Sequence, residues 1–77
     1  MHLNTLKKIV ASLPDLLRKY NDYSPEEIQQ FLNEATVHDV MVADTLLYTV
    51  RAGEVAFQFN KDGEFLRPSE RRLGKPV

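Results

Sequence analysis

Over the first twenty residues the apolar positions Leu3, Leu6, Ile9, Val10, Leu13, Leu16, Leu17 and Tyr20 share one arc at helical spacing. Lys7, Lys8, Ala11, Asp15, Arg18 and Lys19 share the opposite arc. Pro14 removes a backbone donor in the middle of this run. The apolar phase passes through it without slipping, so the pattern predicts one kinked helix rather than two. A second helix is predicted from Ser24, where a serine cap, Pro25 at the first helical position and Glu27 three residues after the cap form a start signature. Ile28, Phe31, Leu32 and Ala35 supply its buried face.

The stretch TVHDVMVADTLLYTVRAG, residues 36–53, predicts a third helix. Thr36 serves as its cap with Asp39 three residues on, and Val40, Ala43, Leu46, Leu47 and Val50 make a core arc. Gly53 suits the left-handed residue that stops a helix. Val55, Phe57 and Phe59 then alternate with Ala56, Gln58 and Asn60 at strand period. Asn60-Lys61-Asp62-Gly63 is turn chemistry, and Phe65 and Leu66 lie on the returning strand. The fold class expected is α+β and mostly helical, with three helices followed by a β-hairpin. One domain is expected over residues 1–66, with a flexible basic tail over 67–77.

The segments SPEEIQQFLNEATVHDV and LLYTVRAGEVAFQFNKDGEF together resemble the winged-helix variant of helix-turn-helix. The first matches the helix, turn and helix start; the second matches the helix end and the wing. The resemblance covers about residues 3 to 66 and is to the superfamily pattern, not to one family within it. It implies a third helix that presents its outer side to a partner, which in DNA-binding members enters the major groove.

Charge changes that picture. The 77 residues are 43% hydrophobic and 27% charged, the balance of an ordinary globular chain, and carry a formal net charge of −1. The partition is uneven. Residues 1–23 hold four basic and two acidic residues, whereas residues 24–53 set Glu26, Glu27, Glu34, Asp39 and Asp44 against Arg51 alone. The tail 67–77 is basic, with Arg67, Arg71, Arg72 and Lys75 against Glu70. The expected outer side of the third helix carries Val37, Met41, Asp44, Thr45, Tyr48 and Ala52, with His38 at its edge. It has no Arg, Lys, Asn or Gln to read a base edge, and phosphate neutralisation needs cations that this segment lacks.

The expected contact surface is therefore a protein-binding stripe of Val37, Met41, Asp44, Thr45 and Tyr48, which suits a basic partner or a second copy of the chain. The alternative is a DNA-binding regulator that uses Lys61 at the wing tip and Arg67, Arg71, Arg72 and Lys75 in the tail. Chemistry for catalysis is thin. There is no cysteine; His2 and His38 are far apart; and Gly53, Gly63 and Gly74 do not form a phosphate loop. No metal or other cofactor is expected, and no apolar run reaches the ~18 residues of a membrane span. The sequence reads as a small, cytoplasmic, non-enzymatic regulator or adaptor.

Overall fold

The computed structural model describes residues 1–69 and runs helix, helix and then four strands. Helix α1 spans Leu3–Asn21 and α2 spans Pro25–Glu34. The strands are β1 (Thr36–Val42), β2 (Thr45–Ala52), β3 (Val55–Asn60) and β4 (Phe65–Pro68). They form a single antiparallel meander in the order β1-β2-β3-β4.

The two helices follow their signals. α1 continues through Pro14, and the Ser12 hydroxyl donates back to the Lys8 carbonyl at 3.0 Å. Its end is a left-handed Asp22 (φ 54°), whose N–H donates to the Arg18 carbonyl at 3.2 Å while the Tyr23 N–H donates to the Leu17 carbonyl at 3.4 Å. Aspartate tolerates this conformation better than most side chains. α2 opens with a complete capping box, in which Glu27 N–H donates to Ser24 Oγ at 3.2 Å and Ser24 N–H donates to Glu27 Oε1 at 2.8 Å.

The third helix is not formed. Residues 36–52 are the hairpin β1–β2, so the architecture is two helices and a four-stranded sheet, not three helices with a wing. The winged-helix arrangement falls with that helix. Thr36, Val37, Val40, Val42, Thr45, Thr49 and Val50 are β-branched and fit a pleated surface better than a helix. Between them, Ala43 (φ 50°) and Asp44 (φ 65°) both take positive φ. This is the two-residue I′ turn that joins antiparallel strands, made here without a glycine or asparagine to announce it. Gly53 is left-handed as expected (φ 65°), but it turns β2 into β3 rather than stopping a helix.

The hairpin expected over Val55–Leu66 is present as β3 and β4, the second half of the meander. Its turn is held by Asn60, whose Oδ1 accepts from the amides of Asp62 and Glu64, each at 2.9 Å. Gly63 (φ +85°) has a second reason to be glycine, because a Cβ there would stand 3.1 Å from the Thr5 carbonyl oxygen of α1. The tail starts later than expected. Arg67 pairs with Gln58 and Pro68 with Phe57, so residues 67 and 68 belong to β4.

One sheet face packs on the helices. Ile9, Leu13 and Leu17 of α1 and Ile28 and Phe31 of α2 meet Tyr48 and Val50 of β2 and Phe57 and Phe59 of β3. Phe57 lies 6.2 Å from Phe31 and 6.0 Å from Phe65, ring centre to ring centre, in edge-on arrangements. Burying each of these large side chains contributes about 1.5–3 kcal/mol. The register sends Thr36, His38, Val40 and Val42 of β1, and Thr45, Leu47, Thr49 and Arg51 of β2, to the opposite face.

Candidate functional site

The two ends of the meander differ. β4 is four residues long, contains Pro68, has a bulge opposite Gln58 and Phe59, and packs against α1. Those are the usual ways in which a protein closes a sheet edge. β1 has seven residues in unbroken register with β2 and no Lys, Arg or Pro. Six of its seven residues are exposed, with Val40 half-buried.

The register also fixes which backbone groups are free. A two-residue hairpin makes the flanking residues, Val42 and Thr45, a doubly hydrogen-bonded pair, and the bonding alternates from there. Thr36, His38, Val40 and Val42 therefore spend their N–H and C=O on β2. Val37, Asp39 and Met41 point theirs away from the sheet. Their side chains lie on the face that carries the helices, opposite Val50, Tyr48 and Leu46 respectively. The helices do not reach over them: Val37 is 37% exposed, Met41 is 63% exposed, and Asp39 is exposed between them.

The sequence-derived contact residues divide accordingly. Val37 and Met41 do share one surface, because a spacing of four returns to the same side of a strand as well as of a helix. Tyr48 pairs with Asp39 but lies one strand inward, is 6% exposed and belongs to the core, so it is not part of a contact stripe. Asp44 is exposed in the I′ turn, and Thr45 is exposed on the opposite face across from Val42. Asp39, which a helical phase turns away from Val37 and Met41, stands between them on the strand, since residues 37, 39 and 41 share a face at a period of two.

Lys61 is exposed in the β3–β4 turn and Arg67 on β4, at the far side of the sheet from β1. Three strand spacings, roughly 14 Å, separate the row position of Arg67 from that of His38. Arg71, Arg72 and Lys75 lie outside the described residues. The DNA alternative loses its recognition helix, since β1 and β2 occupy that stretch.

The outward-facing residues of β1 lie in an acidic stretch of chain, with Arg51 across from Thr36 on the opposite sheet face. From Tyr20 to Val50 the chain has Asp22, Glu26, Glu27, Glu34, Asp39 and Asp44 and not one Lys or Arg. The ion pairs among the described residues, Lys8–Glu64 at 3.9 Å and Asp15–Arg18 at 2.7 Å, lie elsewhere. His38 is tied locally, with its Nε2 2.8 Å from Thr36 Oγ1. A hollow of about 190 Å³ along α2 adds Glu27 and Glu34 to Tyr23, Gln30 and Phe31. A second, of about 200 Å³, lies between the end of α1 and β3–β4 and includes Tyr20, Glu54 and Phe57.

Among the described residues no three His, Asp or Glu side chains converge as metal ligands. No helix there is long and apolar enough to cross a membrane. No protein-family model, curated protein or solved structure matches the chain.

Proposed function

We propose that this chain is a small non-enzymatic binding module, a regulator or adaptor, that works by protein contact and receives its partner as an added strand on β1. The observation that carries this reading is the free edge itself. Three consecutive outward-facing residues, Val37, Asp39 and Met41, offer N–H and C=O groups that no described residue pairs, beside two exposed apolar side chains. Strand addition uses those elements together: main-chain bonds give affinity and alternate side chains give selectivity. Each new hydrogen bond is worth a net ~0.5–1.5 kcal/mol, and covering Val37 and Met41 adds a similar amount apiece.

The test is a photo-crosslinking amino acid placed at position 41 and, separately, at position 61 on the opposite side of the sheet. Crosslinks from 41 to a specific partner in the source cells, lost when Val37 is replaced by Lys, are the expected result. Equal products from 41 and 61, unaffected by Val37→Lys, would count against the edge as the contact surface.

A further inference from the structure

Resting on that reading of β1, we infer the chemistry of the strand it accepts: a Lys or Arg flanked, two residues to either side, by apolar residues. In an antiparallel pair, directly opposed residues share a face, and the pairs whose backbones exchange both hydrogen bonds stand about 5.5 Å apart at Cα. The outward-facing residues of β1 are Val37, Asp39 and Met41, so the strand's selective positions are those opposite apolar, acidic and apolar side chains. Met41 and Val37 want apolar cover; Asp39 wants a cation.

Nothing in the described chain supplies that cation. Asp39 makes no ion pair or side-chain hydrogen bond among the described residues, and its cross-strand neighbour is Tyr48. Glu34 precedes β1 by two residues and Asp44 follows it by two, so the surroundings reinforce the preference. An opposite charge directly across a strand pair is worth up to about fivefold in affinity, and a like charge costs a similar factor.

The same carboxylate argues against a second copy as the occupant. Two β1 strands in full antiparallel overlap place Val37 opposite Met41 on both sides, but Asp39 opposite Asp39 at the centre. Sliding by two residues avoids the clash of charge and forfeits an end pair. A heterologous strand with a basic centre keeps every pair and removes the repulsion.

The experiment uses the full 77-residue protein and three labelled nine-residue peptides read by fluorescence anisotropy. Each has valine two residues to either side of the centre and threonine between; the centre is Lys, Gln or Glu. The Lys peptide is expected to bind tightest, about fivefold better than Gln, with Glu weaker again by a similar factor. Asp39→Asn should level Lys with Gln, and Asp39→Lys should reverse the order so that the Glu peptide binds best. Met41→Pro, which removes an outward amide without touching the β2 ladder, should weaken all three.

Equal binding of Lys and Glu peptides that Met41→Pro still abolishes would overturn the charge preference while leaving the edge as the contact surface. A Lys preference that survives Asp39→Asn would also overturn it, since the cation would then be read elsewhere. Binding of none of the peptides, or binding indifferent to Met41→Pro, would sink the edge reading as well. A doubled mass by sedimentation, lost in Met41→Pro, would make a second copy the occupant and overturn the basic-strand proposal.

Discussion

Proline at two adjacent positions of β1 separates the architecture described here from the helix that residues 36–53 were expected to form. Val40 donates its N–H into the β2 ladder at Leu47, whereas Met41 points its N–H out of the sheet. Val40→Pro removes that bond and strands the Leu47 carbonyl on a residue that is only 6% exposed. Losing the bond and leaving a buried acceptor unpaired costs about 2–4 kcal/mol. Met41→Pro loses no ladder bond and little burial, since the side chain is 63% exposed, leaving a cost of about 1 kcal/mol for narrowing φ. The difference of about 2 kcal/mol corresponds to midpoints roughly 8–16 °C apart for a domain of this size. Thermal unfolding followed by far-UV circular dichroism measures it. A helix over 36–53 would make both prolines interior and comparably damaging, at ~3 kcal/mol or more. Equal destabilisation by the two substitutions would therefore refute the hairpin and the assignment of free amides.

Other substitutions probe other parts of the fold. Asp44→Gly should raise stability by about 1 kcal/mol in urea unfolding, because it relieves a left-handed side-chain-bearing residue in the I′ turn. Gly63→Ala should lower it by about 1–3 kcal/mol, since φ is +85° and the new Cβ meets the Thr5 carbonyl oxygen. Arg51 has a buried Nη1 with no hydrogen-bond partner among the described residues, so Arg51→Met, which retains the stem and removes the guanidinium, should leave the melting temperature unchanged or higher. A fall of several degrees on Arg51→Met would mean that the guanidinium has a stabilising role that its contacts do not show.

What the sequence disclosed depended on whether local chemistry had one meaning. Ser24, Pro25 and Glu27 can hardly signal anything but a helix start, and the capping box is there in both bonds. The stripe of α1 is long enough for its phase to survive Pro14, and Val55, Phe57 and Phe59 alternate too regularly to be helical. Residues 36–52 are ambiguous by spacing. Leu47 and Val50 are buried in the sheet as they would have been on a helix, but Val40 is half-buried and Ala43 is exposed in the turn. The turn that breaks the stretch in two is Ala43–Asp44, which carries neither glycine nor proline. Seven β-branched residues were the better guide there. The proposed contact surface was legible only in part: Val37 and Met41 share a side on a strand as on a helix because four is an even number. Tyr48 does not, because it sits on the interior strand β2.

The most direct test of the central claim is amide hydrogen exchange by NMR along β1, in the free protein and with the Lys-centred peptide added. The account predicts alternation: slow exchange at His38, Val40 and Val42, which bond to β2, and fast exchange at Val37, Asp39 and Met41, which then become protected when the peptide binds. Contiguous protection from 36 to 52 in the free protein would contradict the free edge. Protection at Val37, Asp39 and Met41 left unchanged by a bound peptide would show that the partner docks somewhere else.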